Sequence, residues 1–135
     1  MNLKELDIEF GLLKENEYYE ILKDKFDNTL EKTNNKFCLF DYIGENYYIE
    51  LKSRRNTHNK YHDTMVGYNK IHFAMNTNKI IIFCFAFTDG LYYYQFENND
   101  VMQHKLRFDY GGRNDRGVKE YKDYCYIPIE LLVKL

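Results

Sequence analysis

The sequence has almost no proline, no repeats and no long apolar run, and each absence excludes a class of protein. Pro128 is the only proline, and there is no internal repeat, low-complexity tract or linker, so residues 1–135 are expected to form one domain. No apolar run approaches a membrane span, and the start of the chain (MNLKELDIEF) has no apolar signal-peptide core. We therefore expect a soluble, intracellular protein. The abundance of Asn, Lys, Ile and Tyr is typical of an AT-rich viral, phage or low-GC microbial genome, and a viral protein would work in the host cytoplasm or nucleus.

The chain also has few cysteines and little net charge. Cys38, Cys84 and Cys125 lie in apolar, strand-like segments without a CxxC spacing. This pattern predicts reduced core residues rather than zinc ligands or disulfides. A formal net charge of −2 argues against a protein that coats nucleic acid by bulk electrostatics, and leaves only a local basic patch for such binding.

One hairpin carries the clearest chemical signal. Phe37–Ile43 and Tyr47–Arg54 are predicted as its two strands, joined by Gly44-Glu45-Asn46, residues that tolerate the positive φ of a tight turn. If the loop closes with four residues, or with three and a bulge, Asp41 lies directly opposite Glu50. Their Cβ atoms would then be about 5 Å apart.

Two carboxylates at that distance repel each other unless one is protonated or a cation lies between them. Mg²⁺ or Mn²⁺ suits such an all-oxygen site and would activate a bound water for attack on a phosphoryl group. Lys52 shares the strand face of Glu50, so its ammonium would position the water or stabilise transition-state charge. The alternative is a half-exposed strand on which Glu50 and Lys52 form an ordinary ion pair.

The preceding segment, Gly11–Asp27, is predicted as a helix. Its residues Leu12, Glu15, Tyr19, Leu22 and Phe26 fall on a single stripe. Glu15 would thus lie in the buried face, where an ionised carboxylate is costly unless it is paired or bound to metal. A position at the helix N-terminus, where the helix dipole favours a carboxylate, is the other explanation.

These motifs resemble the PD-(D/E)xK, or restriction-endonuclease-like, nuclease superfamily. Gly-x-x-x-Glu on a helix is followed by Asp on one strand and Glu-x-Lys on the next, from about Gly11 to Phe87. The spacing in the first helix is particularly similar to that of archaeal Holliday-junction resolvases. The chain departs from the pattern at Phe40, which stands where the motif has a proline that many members also lack. The resemblance implies an α/β (α+β) fold with an αβββαβ core, in which helices flank a mixed central sheet.

The resemblance also implies the members of the site. They are Asp41, Glu50 and the Leu51 carbonyl as metal ligands, Lys52 as the catalytic lysine, and Glu15 as an accessory acidic residue. In this superfamily the helix after the Glu-x-Lys strand often lends a polar or basic side chain, which makes Lys70 a further candidate.

The remaining segments give weaker signals. Thr57–Thr77 is predicted as a polar loop and a helix whose stripe comprises Tyr61, Met65, Tyr68, His72 and Met75. Lys79–Phe87 is apolar on both faces, as a central strand requires. Leu91–Phe96 is predicted as a strand with one tyrosine-bearing face near solvent or a partner, and Tyr124–Ile129 as a final edge strand, because Pro128 cannot donate to a ladder. The glycine-rich segment 111–117 is predicted as a flexible loop.

Basic side chains offer contacts for a nucleic-acid backbone. The candidates are Arg54, Arg55, Lys60, Lys70, Arg113 and Arg116, and the first three form the strongest group. Tyr47, Tyr48 and Tyr61 are candidates for stacking on unpaired bases. Each of these residues also fits an ordinary surface or half-buried position.

The sequence thus predicts a Mg²⁺- or Mn²⁺-dependent endonuclease acting on nucleic acid, DNA rather than RNA. A homodimer is compatible with this activity, because cutting a duplex or resolving a junction needs two symmetry-related sites. The first alternative is an inactive nuclease-like fold that binds nucleic acid or a protein. The second is an interaction protein whose working face is formed by Tyr92–Phe96.

Overall fold

The structure is a computed structural model that describes residues 2–34, 38–113 and 120–135, without the side chains of 111–113, 120 and 121. In chain order the elements are α1 Leu3–Lys25, β1 Glu31–Lys32, β2 Tyr42–Ile43, β3 Tyr47–Ser53, β4 Asp63–Gly67, α2 Tyr68–Met75, β5 Ile80–Phe87, β6 Gly90–Gln95, α3 Asn98–Met102, β7 Arg107–Arg113, β8 Glu120–Pro128, a 3₁₀ turn Ile129–Leu131, and β9 Val133–Lys134. None of the helices in the described ranges combines the length and apolar character needed to cross a membrane.

The elements pack as three layers around a mixed central sheet. That sheet has the order β1-β2-β3-β5-β6-β9, and a smaller sheet has the order β4-β8-β7. β3 and β5 run parallel, whereas the other paired strands are antiparallel. Leu22 of α1 packs on one face of the central sheet, and Ile71 of α2 and Val66 of β4 pack on the other. The expected α/β class, with helices flanking a mixed sheet, is confirmed.

β5 is the central strand that the apolar run predicts. Phe83 and Phe85 enter the core shared with α2 and the smaller sheet, while Ile82 and Cys84 enter the core shared with α1. All four are fully buried. A strand covered on both faces has no polar side to present, which is why its sequence shows no alternation.

Helix α1 starts eight residues before the predicted start, at Leu3. Asn2 caps it by accepting a hydrogen bond from the Glu5 amide at 2.8 Å, and Glu5 accepts one from the Asn2 amide at 3.0 Å. This reciprocal pair is a capping box, and the spacing Asn-x-x-Glu was its sequence signal. The predicted stripe is correct for the buried Leu22 but wrong for Leu12, which is 52% exposed.

The prediction of a single helix following a loop across 57–77 is wrong. Asp63–Gly67 is a strand, and Gly67 is the N-cap of a short helix rather than a residue inside a longer one. The buried face of α2 consists of Ile71 and Ala74, whereas Tyr61, Tyr68 and His72 of the predicted stripe are exposed. The reason is long-range: Met65 and Val66 pair with Tyr126 and Cys125 of β8, a partner some sixty residues away in the chain.

The hairpin is shorter than predicted. Only Tyr42–Ile43 of the segment 37–43 is a strand, and Phe37 lies outside the described residues. Phe40 turns into the core, and its carbonyl accepts a hydrogen bond from the Thr33 hydroxyl at 2.8 Å, so the chain leaves the ladder at this point. The turn also needs no positive φ, since Gly44, Glu45 and Asn46 all have negative values.

Three further expectations are corrected. Tyr92 and Tyr94 are buried in the core, so Tyr92–Phe96 is not an exposed working face. β8 is the middle strand of its sheet, not an edge, and Pro128 lies at the end of its pairing with β4. Cys38 is exposed, although Cys84 and Cys125 are buried, and all three are free thiols.

Candidate active site

The register of β2 and β3 brings the two predicted carboxylates together. Tyr42 pairs with Ile49 and Ile43 with Tyr48, so one further step places Asp41 opposite Glu50. Asp41 has left the ladder, and its Oδ2 accepts a hydrogen bond from the Leu51 amide at 2.7 Å. The Asp41 carboxylate thereby accepts the hydrogen bond that a backbone carbonyl of β2 would accept from the Leu51 amide if that strand were longer.

Glu50 is a buried acid, with 3% of its surface exposed. Its strand neighbour is Phe83 of β5, and its side chain lies next to Lys70 in the first turn of α2. Lys70 Nζ is 2.9 Å from Glu50 Oε2 and Lys52 Nζ is 3.7 Å away. Oε2 nevertheless accepts no well-directed hydrogen bond, and the Lys70 ammonium is also bonded to the Leu39 carbonyl. The two lysines therefore compensate the negative charge of Glu50 only in part.

The pKa values of the two acids are both raised, mainly because the carboxyls are buried. Burial raises the pKa of Glu50 to about 7, and Asp41 adds to this increase while Lys52 and Lys70 oppose it. Burial also raises the pKa of Asp41, a hydrogen bond with Glu50 opposes the increase, and the carboxyl of Glu15 adds to it. Both carboxyls therefore resist ionisation, and a cation held between them would favour their ionised forms.

Both carboxyls open onto a cleft of about 790 Å³ between α1 and the end of β3. Lys52 of β3, whose side chain is 38% exposed, and Arg54, which directly follows β3, line one wall. Asp7 and Glu15 line the cleft from α1. In the part of the chain that is described, two buried side-chain polar atoms have no hydrogen-bond partner, Glu50 Oε2 and Ser53 Oγ. Both residues border this cleft, so the unsatisfied polar groups are concentrated here.

Glu15 lies in the middle of α1, because the helix begins at Leu3. The helix dipole is felt only near a terminus, so the explanation of Glu15 as an N-terminal residue is wrong. Its carboxyl is half-buried at the cleft and acts on Asp41. The Glu15 carbonyl also accepts a hydrogen bond from the Tyr42 hydroxyl at 2.5 Å, which ties α1 to β2 beside the site.

The basic residues predicted to contact nucleic acid lie at different distances from the acidic pair. Lys70 is at the site, but its side chain is only 16% exposed and faces Glu50. Arg54 donates a hydrogen bond to the Met65 carbonyl at 2.9 Å, and Arg55 pairs with Asp7 at 2.6 Å, both on the cleft wall. Lys60 is exposed on the neighbouring loop and does not line the cleft.

Two other basic candidates fall outside the description. The backbone of Arg113 ends β7 but its side chain is not described, and Arg116 lies outside the described residues. Their contacts with phosphate stay predictions.

Sequence reasoning missed Asp7, Ser53 and the placement of Tyr61. Ser53 follows Glu50-Leu51-Lys52 on the same strand, and Asp7 occupies the helix face of Gly11 and Glu15, so each had a local signal. Tyr61 was predicted on a helix stripe, yet it is 59% exposed and borders the cleft.

The carboxylate oxygens of this site are the kind of ligand that a hard divalent ion prefers. Within residues 2–34, 38–113 and 120–135 no three His, Cys, Asp or Glu side chains form a ready-made metal-binding group. Asp41 and Glu50 do provide two adjacent carboxylates at an open cleft, and Glu50 Oε2 has ammonium groups nearby but no well-directed hydrogen bond. Mg²⁺ is commonly held by one or two carboxylates, with water and phosphate oxygens filling its other positions. The residues present therefore fit such an ion.

Comparison with protein-family profiles identifies a family that covers most of the chain. A sequence profile of the family described as "Phage putative PDDEXK endonuclease" matches residues 12–135. No curated protein and no solved structure matches the chain significantly.

Proposed function

Because the chain belongs to this phage PDDEXK endonuclease family, we propose that it is a Mg²⁺- or Mn²⁺-dependent endonuclease that hydrolyses phosphodiester bonds in DNA. The observation that carries the proposal is the contact of Asp41 and Glu50 at the cleft, with Lys52 beside them. Family membership supports nuclease activity in general. The metal dependence, the preference for DNA and the roles of individual residues are our own inference.

Asp41, Glu50 and the Leu51 carbonyl would hold the ion, and Glu15 would act as an accessory ligand near Asp41. Once bound, a divalent ion polarises a phosphoryl oxygen and lowers the pKa of a bound water. The burial of Glu50 makes its carboxylate poorly compensated by solvent, which favours a cation at this position.

Lys52 supplies the positive charge that the reaction needs beside the acids. Its ammonium is within 3.7 Å of Glu50 Oε2, yet its side chain is 38% exposed toward the cleft, so it can reach both the acid and a phosphate. There it would orient the attacking water and stabilise charge that builds on the phosphoryl group. Lys70, which is closer to Glu50 and more buried, would hold that carboxylate in place.

The basic residues at the cleft edge would hold the rest of the strand. Arg54 and Arg55 line the cleft, and Lys60 follows on the loop. We assign phosphate contacts to these three, and to Arg113 and Arg116 by sequence alone. Such contacts position a strand without reading its sequence.

Lys52→Ala tests the catalytic assignment. We expect the wild-type protein to nick supercoiled plasmid and to cleave single-stranded DNA with Mn²⁺ or Mg²⁺, and EDTA to abolish both reactions. The variant should cleave at a rate at least about a hundredfold lower, a loss typical of removing one transition-state donor. Lys25→Ala, an exposed lysine at the end of α1, is the control. Matched deoxyribo- and ribo-oligonucleotides decide the preference for DNA. Cleavage by Lys52→Ala at the wild-type rate, with Lys25→Ala equally active, would remove Lys52 from the mechanism.

One observation favours a second candidate, a nuclease-like module that binds without cutting. The ammonium of Lys70, 2.9 Å from Glu50, provides a built-in cation for the acidic pair. In that case calorimetry would detect no heat of Mn²⁺ binding. The wild-type protein would bind DNA but would not cleave it in the presence of any divalent ion.

We also propose that the protein forms a homodimer and works inside the infected bacterial cell. The supporting feature is an apolar seam on the outer face of α1, formed by Leu3, Leu6 and Leu13. These three leucines are all exposed, and Leu6 and Leu13 are one heptad apart. A second copy of the same helix is the simplest surface to cover such a seam.

A further inference from the structure

A smaller cleft of about 250 Å³ adjoins the catalytic cleft. The two share four lining residues, Arg54, Asn56, Tyr61 and Met65. A strand lying in the larger cleft therefore passes the mouth of the smaller one. Pockets for drug-sized ligands start at about 300 Å³, so the smaller cleft suits a single flat ring system.

The lining of this smaller cleft is mixed, with apolar and aromatic surface from Phe87, Met65, Tyr61 and Tyr126. Its polar side chains are Asn56, His58, Thr64, Asp63 and Arg54, and the last two carry opposite charges. Tyr61 stands on the wall between the clefts with 59% of its surface exposed, and Lys60 Nζ lies 5.4 Å from its ring centroid. An aromatic ring open to solvent next to an ammonium is suited to stack a base and contact its phosphate.

His58 is held rigidly in this cleft. Its Nδ1 lies 2.5 Å from Asp89 Oδ2, its backbone amide donates to Asp89 Oδ1 at 2.9 Å, and its ring stacks on Tyr92 at 4.6 Å between centroids. With Nδ1 engaged by Asp89, Nε2 is the ring atom that remains for a ligand. A fixed imidazole edge beside an apolar surface can read the hydrogen-bonding edge of a base.

We propose that this smaller cleft is a nucleobase subsite, which receives an unpaired base next to the scissile phosphate. This inference deepens the proposed nuclease function and rests on it. A base inside a closed duplex is stacked and paired and cannot enter, so the preferred substrate class is single-stranded DNA or the unpaired nucleotide of a flap or junction. Tyr61 stacks on the base, His58 and Asn56 face its edge, and Lys60 contacts the adjoining phosphate.

The test uses binding, so that it does not depend on cleavage. Single-stranded oligonucleotides carrying 2-aminopurine at one position at a time are titrated with protein in EDTA and again in Ca²⁺, recording fluorescence and anisotropy. We expect quenching at one or two adjacent positions, and about tenfold weaker binding with Tyr61→Ala, in line with the loss of one stacked base. Tyr61→Phe keeps the ring and should bind as wild type does. Tyr110→Ala, an exposed tyrosine outside both clefts, is the matched control.

The outcomes separate the subsite from the proposed activity. Position-specific quenching that is lost in Tyr61→Ala and kept in Tyr61→Phe supports the subsite, whether or not the protein cuts. Equal affinity for blunt duplex and single strands, with no position-specific quenching and unchanged binding by Tyr61→Ala, overturns the subsite even if plasmid is cleaved. Unfolding temperatures of all three variants within the wild-type range show that binding, not folding, was measured.

Discussion

Asp41 and Glu50 are acids whose surroundings resist their ionisation, and this cost is informative. A buried carboxylate whose charge is only partly compensated costs stability, and a role in function is one reason for a protein to keep it. Lys70 and Lys52 compensate part of the charge from 2.9 and 3.7 Å. The fold therefore holds two acids with raised pKa values beside the middle of β3.

Asp41→Asn should separate stability from metal binding. Asparagine keeps an oxygen for the Leu51 amide and removes one of two neighbouring negative charges, so we expect the free energy of unfolding in EDTA to be unchanged or higher. Calorimetry should show that the heat of Mn²⁺ binding is lost. Asp24→Asn, an exposed acid elsewhere on α1, should bind Mn²⁺ as wild type does. A variant that is markedly less stable yet still binds Mn²⁺ would contradict the assignment.

At the scale of elements, the connection from α1 to the hairpin is built around Asp27. Its Oδ1 accepts from the Thr29 amide and hydroxyl at 2.9 and 2.6 Å, and its Oδ2 accepts from the Asn46 amide at 3.1 Å. Gly44 lies against the same carboxylate, because a Cβ at this position would be 2.6 Å from Asp27 Oδ2. The connection thus fixes where the hairpin, and with it Glu50, meets the helix.

Gly44→Ala should destabilise the protein by about 1–3 kcal/mol, the usual cost of an overpacked position. The methyl group would displace the Asp27 carboxylate and break its bond to the Asn46 amide. Urea denaturation measures the change. Gly11→Ala is the control, since a Cβ there meets no atom within 4 Å, and it should leave stability equal or slightly raised.

The lowered pKa of Asp27 should also make the stability of the protein depend on pH. The hydrogen bonds from Thr29, followed by those from the backbone, lower the pKa of Asp27 below its ordinary value of 3.8. A lowered folded-state pKa contributes stability above the unfolded value, and this contribution is lost as the pH falls through the folded value. The stability difference between wild type and Asp27→Asn should be largest at neutral pH and should shrink below about pH 4. A difference that stays constant from pH 7 to pH 3 would show that the charge of Asp27 does not matter.

Elements whose partners are local were predictable, and elements with distant partners were not. The opposition of Asp41 and Glu50 follows from alternation and a short turn, both readable in about ten residues. β4 was predicted as helix because its strand partner, β8, is encoded some sixty residues later. For the same reason the pairing of Lys70 with Glu50, which depends on how α2 packs, could be suggested only by a family resemblance.

At the scale of the molecule, one helix serves two surfaces. Asp7, Gly11 and Glu15 of α1 line the cleft that holds Asp41 and Glu50, while Leu3, Leu6 and Leu13 of the same helix remain exposed. An exposed apolar helix face of this kind is common at interaction surfaces.

The dimer predicts a specific response to charge on the seam. Leu6→Lys with Leu13→Lys would place like charges at the two-fold contact, so sedimentation velocity should show twice the mass of one chain for wild type and a single chain for the double variant. Met102→Lys, at an exposed methionine of α3, should remain dimeric. If activity requires two sites acting together, the double variant should nick plasmid but cut both strands poorly. Wild-type protein that sediments as a monomer at every concentration, while still cleaving DNA, would contradict the dimer and leave the active site intact.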